Sequence, residues 1–254
     1  MKRNAFKILA LGATLALVSF ITADRGSLSQ NTTAGSIQSA RSLESSQSPQ
    51  STYTLFDGKT LNGWHGFNKS GKVENWTVEN GALVCLGAAK DAHGGDLVSD
   101  REFTDFELTW EWKVDQGSNS GVMYHVIEGP QYKSPYETGP EYQIIDDIGF
   151  PAHLELWQQT GADYAMTPAN DQKKLNPVGQ WNTSKIIFHK GHVEHWLNGK
   201  KIVEFQAWTD EWNKKRLGGK WKGYPDYGQS RYGEIALQDH GNKAYYRHIE
   251  IREL

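Results

Sequence analysis

The chain has 254 residues, of which 12% are aromatic and ten are tryptophan, a composition far too rich in large apolar groups for a disordered protein. Its formal net charge of −3 supplies no field that would gather nucleic acid or an anionic membrane, so neither is expected as a partner. With Cys85 as its one cysteine, it can form no internal disulfide.

Lys2 and Arg3 precede an apolar run from Ile8 to Ala23 that ends in Ile21-Thr22-Ala23, the layout of a secretory signal peptide over residues 1–23. Export without disulfides fits a periplasmic or secreted protein of a bacterial envelope, with no stable membrane insertion once the signal is removed. Residues 24–52 are rich in Ser, Thr and Gln and hold almost no large apolar side chain, so they read as a linker that cannot offset the entropy of ordering. The folded domain is expected over residues 53–254.

From Tyr53 onward, short alternating segments recur between Gly, Asn and Asp turns, predicting an all-β, two-sheet antiparallel sandwich of about a dozen strands. Trp76–Val78 and Ala82–Leu86 flank the turn Glu79-Asn80-Gly81, with Cys85 expected as a buried strand residue. In Asp105–Val114, Phe106, Leu108, Trp110, Trp112 and Val114 alternate with polar residues, so Trp110 and Trp112 should enter the core. Lys185–His189, His192–Leu197 and Lys201–Phe205 form a meander through Lys190-Gly191 and Asn198-Gly199. Gly233–Asp239 and Ala244–Ile251 read as a final hairpin, and Asp210–Leu217 as a short helix in the long connection before it.

The polar residues opposite the apolar stripes are the candidates for chemistry. In Gly139–Asp147, Glu141 and Gln143 share one face while Tyr142 and Ile144 take the other, so the first pair should line the wet floor of a concave cleft. Gln238 and His240, His195, Asn119, and Tyr124 or His125 join them if these faces belong to one sheet. Trp221, among Trp208, Trp212 and several lysines, reads as part of a lid or rim, or as cover for the sandwich edge. Zinc at His189, His192 and His195 is disfavoured, because His195 has parity opposite to His192.

The segment Phe56-Asp57-Gly58-Lys59-Thr60-Leu61-Asn62-Gly63-Trp64 resembles the opening motif of the 3-keto-disaccharide hydrolase domain family, formerly domain of unknown function 1080. Asn119-Ser120-Gly121, Glu141-Tyr142-Gln143-Ile144-Ile145-Asp146, Trp181-Asn182, Trp196-Leu197-Asn198-Gly199 and Leu237-Gln238-Asp239-His240-Gly241 follow in the family's order. The chain departs from the pattern at Tyr124-His125 and at Tyr246-Arg247-His248, both of which bear on substrate choice. The resemblance implies a concanavalin A-like sandwich and a carbohydrate substrate, a 3-keto-glycoside cleaved by elimination and hydration or by net hydrolysis. It makes Glu141 and His240 the expected base and acid, in either order. Asn119, Tyr124, Gln143, His195, Gln238 and Trp221 are then the substrate-binding set, and Asp146 or Asp239 could orient His240 or hold a divalent metal ion. The alternative is a non-catalytic, lectin-like carbohydrate-binding module on the same fold.

Overall fold

Strand β6 (Phe106–Val114) buries every second residue and half-covers those between, the burial pattern that a one-sided apolar stripe imposes on a strand. Trp110 and Trp112 are 1% and 2% exposed, as their parity requires. The computed structural model describes residues 51–87 and 95–254; the leader and all but the last two residues of the expected linker lie outside the described residues.

Thirteen strands form among the described residues. Besides β6 they are β1 (Thr52–Thr54), β2 (Trp64–Gly66), β3 (Trp76–Glu79), β4 (Ala82–Leu86), β5 (Leu97–Phe103), β7 (Asn119–Val126), β8 (Glu141–Ile145), β9 (Asn182–His189), β10 (His192–Leu197), β11 (Lys200–Gln206), β12 (Gly233–Leu237) and β13 (Lys243–Glu253). One sheet runs β11-β10-β9-β6-β13-β4-β3, with β1 added on β13; the other runs β2-β5-β12-β7-β8. Every pairing is antiparallel.

The expected last hairpin does not form. β12 pairs with β5 and β7, whereas β13 pairs with β4, β6 and β1, so the Gln238–Asn242 connection carries the chain from one sheet to the other. Ile235, Leu237, Ile249 and Ile251 still point inward as read, because parity depends on the strand and not on its partner. Cys85 is fully buried on β4.

The core lies between the sheets, where Phe106, Leu108, Trp110 and Trp112 meet Val122, Tyr142, Ile144, Ile235 and Leu237. A smaller apolar cluster of Phe67, Val98, Met123, Val126 and Ala236 sits on the outer face of the five-stranded sheet, covered by Tyr132 and Tyr136. That outer face is where the candidate site lies.

Helix α1 (Asp210–Gly218) occupies the connection between β11 and β12, close to its expected span. The Thr209 hydroxyl accepts a hydrogen bond from the Trp212 amide at 3.2 Å, with Asp210 and Glu211 in the first turn and Lys215 and Arg216 in the last, all favourable against the helix dipole. No helix among the described residues is long and apolar enough to cross a membrane.

Candidate active site

The register between β7 and β8 sets Met123 opposite Glu141, Gly121 opposite Gln143 and Asn119 opposite Ile145. Those six residues therefore share the outer face, while Val122, Tyr124, Tyr142 and Ile144 face the core. On the other side of β7, the Gln238 amide donates to the Gly121 carbonyl at 2.9 Å, and the next amide, of Asp239, donates to the Asp96 carboxylate at 2.9 Å. Gln238, Asn119, Glu141 and Gln143 thus come together in one row, with Asp96 at its end.

The face is covered rather than wet. Residues 161–164 run alongside β8: the Gln143 amide donates to Ala162 at 3.1 Å, the Gly161 amide to Gln143 at 2.8 Å, and the Tyr164 amide to Glu141 at 3.0 Å. Glu141 and Gln143 keep the parity expected of them, but they are only 4% and 3% exposed, which corrects the reading of a solvated floor. The pairing of Tyr142 with Asp163 sets Tyr164 beside Glu141 on the outer face. Neither Asp163 nor Tyr164 was singled out from the sequence, because this segment joins the sheet edge without strand composition.

Burial dominates the electrostatics. It pushes the Glu141 carboxyl up to about 8; the Lys220 charge works against that shift, and Asp96 and Asp163 reinforce it. Burial likewise raises Asp163 to about 8, opposed by Lys215 and by the Tyr227 hydroxyl, and Asp96 to about 7. Lys220 is exposed over much of its length, yet its ammonium lies 4.2 Å from the Tyr164 ring centroid, 4.8 Å from that of Trp221 and 5.6 Å from that of Tyr136. Desolvation lowers its pKa and Glu141 acts the other way.

Three residues expected to bind substrate are elsewhere. Tyr124 and His195 are fully buried between the sheets, their rings 6.1 Å apart and edge-on, with His195 Nδ1 bonded to the Gly161 carbonyl at 3.0 Å. Burial drives the His195 imidazole down to about 4, so it is a neutral core residue. Its parity with Val193 and Leu197, both buried, is the signal that would have placed it inward. His125 is buried too. Trp221 is fully covered and stacks on Tyr227 at 3.9 Å, so it supports the rim from beneath, while Tyr164, the 37%-exposed Trp157 at 5.6 Å from it, and the half-buried Tyr136 and Tyr224 bring aromatic rings to the surface. His240 is exposed in the crossing connection, two residues beyond Gln238.

The metal candidates are used as turn acceptors. Burial would raise the Asp146 carboxyl, but amides of Gly117, Gly149 and Ile148 outweigh it and hold the pKa below the ordinary range. Asp239 accepts from the Gly241 amide at 2.9 Å and from the Asn75 side chain at 3.3 Å. His192, Glu194 and Glu204 gather on the β10–β11 surface, where Lys201 already bridges both carboxylates at 3.2 and 2.6 Å. An apolar cavity of about 460 Å³ opens near Trp112, Val114, Ile145 and Leu175. The carboxylates on its wall are engaged, Asp146 by the turn and Asp147 by Lys173 at 2.7 Å, so it offers no free acid–base pair.

The chain is similar to proteins that act on sugars. A 3-keto-disaccharide hydrolase of Bacteroides thetaiotaomicron is 36% identical over 226 residues, covering 79% of this chain and 78% of the relative. A solved structure described as a glycosyl hydrolase, from Parabacteroides distasonis, is 43% identical with a TM-score of 0.74, covering 80% of this chain and 94% of its own. A second such structure from the same organism is 26% identical with a TM-score of 0.61, covering 80% of this chain and all of its own. The model of the 3-keto-alpha-glucoside-1,2-lyase-like domain matches residues 52–252, and the chain belongs to that family.

Proposed function

We propose that the protein cleaves 3-keto-glycosides, breaking the glycosidic bond by elimination and then adding water, for a net hydrolysis. A ketone at C3 acidifies the hydrogen on C2, which brings it within reach of a side-chain base. The observation that carries this reading is Glu141, a carboxyl buried in a row of hydrogen-bonding side chains and raised to about 8. Such tuning suits a proton-transferring carboxyl near neutral pH.

Glu141 removes the C2 proton, and the electron pair moves onto the C3 oxygen. The enolate then collapses: C3=O re-forms, a C1=C2 bond forms, and the C1–O bond to the leaving sugar breaks. His240, exposed on the connection that carries Gln238, gives the departing oxygen its proton. Water then gives one proton to the deprotonated His240 and adds its hydroxyl to C1, while C2 regains a proton from Glu141, which restores both groups. Asn119, Gln143 and Gln238 orient the sugar hydroxyls. Family membership and the name of the Bacteroides relative support the substrate class, and the leader-like N-terminus supports a periplasmic or secreted location. Since Asp146 and Asp239 are occupied by their own turns, no step is assigned to a metal ion.

The test is to incubate the purified protein with a 3-keto-disaccharide and with its unoxidised parent, with and without chelator, and follow the released sugar. Release from the ketone alone, unaffected by chelator, is expected. Rapid cleavage of the parent would refute elimination and indicate a two-carboxylate glycosidase. Sugar binding with no cleavage of either compound would identify a lectin-like module.

A further inference from the structure

We propose that the Lys220 ammonium receives the negative charge that develops on the C3 oxygen as Glu141 removes the C2 proton, an assignment that rests on the elimination reading above. An enolate formed in a buried site needs a fixed positive partner, and such partners are often the largest single contribution to the rate. Lys220 meets the geometric requirement. It opens the turn Lys220–Gly223 directly after α1, and the next residue ties that turn to the site: the Trp221 indole N–H donates to the Tyr164 carbonyl at 3.2 Å. Tyr164 in turn donates its backbone amide to the Glu141 backbone carbonyl at 3.0 Å and lies under the ammonium, 4.2 Å from ring centroid to Nζ. Three aromatic faces hold the charge there, an arrangement that favours the protonated lysine.

Lys220 and Glu141 act on each other through space, and no ion pair within contact distance joins them among the described residues. A base and a cation in direct contact would cancel each other; held apart, they address two different atoms, the C2 hydrogen and the C3 oxygen. The partly desolvated ammonium also gains more from a new anion than a fully hydrated one would. The charges of Lys215 and Lys69 act on other carboxyls, Lys215 lowering Asp163 and Lys69 lowering Asp96. In the step itself the C2–H bond breaks, its proton goes to Glu141 and its electrons to oxygen, and Lys220 stays protonated and forms no bond to carbon.

The experiment compares wild type, Lys220→Met and Lys220→Arg on a 3-keto-disaccharide, measuring kcat and KM separately together with exchange of the C2 hydrogen for solvent deuterium. Lys220→Met should lower kcat by about 10²- to 10³-fold and slow the exchange in parallel, with KM changed by less than about threefold, while Lys220→Arg recovers at least about tenfold of the loss. A loss confined to KM, or full exchange in the Met variant, would overturn the assignment. Borohydride added with the ketone should leave the protein mass unchanged; a reduced adduct at Lys220 would make it a nucleophile and also overturn the proposal. Should Lys220→Met fail to fold, Lys220→Gln carries the same readings. Wild type inert toward the ketone would be a failure of the elimination reading, whereas active wild type with equally active Lys220→Met would be a failure of the lysine assignment alone.

Discussion

The Glu141 carboxyl lies across Gly121, in the space that a side chain there would need. Gly121 sits in the middle of β7 with ordinary strand backbone, so the glycine is required by the approach of Glu141 and not by a turn. Gly121→Ala should therefore leave the fold intact and move the carboxyl. Since a displacement of about 1 Å at a reacting group can cost ~10²-fold, kcat should fall by roughly 10- to 100-fold with only a small change in melting temperature. Unchanged kcat would mean that the position of Glu141 does not matter to turnover.

Trp110 tests the sandwich itself. Its ring is 1% exposed and meets Tyr142 edge-on at 5.1 Å, joining β6 of one sheet to β8 of the other directly beneath Glu141. Trp110→Ala should cost about 3–5 kcal/mol in denaturant melts, the range for deleting a large buried aromatic side chain. A loss below about 1 kcal/mol would show that the cavity collapses and that the two sheets are not packed through this residue.

Glu141 also makes a prediction about pH and stability. Its carboxyl is raised from 4.5 to about 8 in the folded chain, so between those values the folded state holds a proton that the unfolded state has released. Stability contributed by this group is full below the unfolded pKa and is lost as pH rises through about 8. Glu141→Gln removes that loss. The variant should gain on wild type from about pH 5 and level off above about pH 8, by roughly 2–4 °C in melting temperature for each kcal/mol recovered. A constant difference across that range would place the Glu141 pKa near its ordinary value.

What could be read from the sequence was mostly parity. The stripe in β6, the opposed faces of β8 and the inward Ile235 and Leu237 all follow from a period of two, which needs no knowledge of neighbours. Pairing was less accessible: Gly241-Asn242 looks like a tight turn, and nothing local says that Gln238–Asn242 changes sheets. The same limit applies to the site. Asn119, Glu141, Gln143 and Gln238 lie on strands or at their ends and carry family motifs, so they were legible. Asp163 and Tyr164 join β8 from an irregular segment, and Lys220 belongs to a run of lysines and tryptophans that reads as a rim without showing which side chain turns to the site until its turn is pinned to Tyr164. Tyr124 and His195 were misplaced for a different reason. Polar side chains can enter a core when a partner is present, and the Gly161 carbonyl supplies one to His195.

The division of labour between Glu141 and His240 can be tested by combining their variants. Glu141 is buried and faces the row, whereas His240 is exposed on the connection between the sheets, so the two groups stand in different surroundings. If Glu141 handles the C2 proton and His240 the leaving oxygen, each of Glu141→Gln and His240→Asn should lower turnover by about 10²- to 10⁴-fold with binding largely kept. Groups that serve one reaction as a unit are strongly non-additive, so the double variant should lose little more than the worse single one. Isotope exchange separates the roles: His240→Asn should still exchange the C2 hydrogen with solvent, because that step precedes departure of the leaving sugar, and Glu141→Gln should not. Exchange lost in both variants would make His240 part of the proton abstraction. Exchange retained in Glu141→Gln would move the base to another carboxyl, and Asp96, at the end of the row and raised by burial to about 7, is then the group to substitute next.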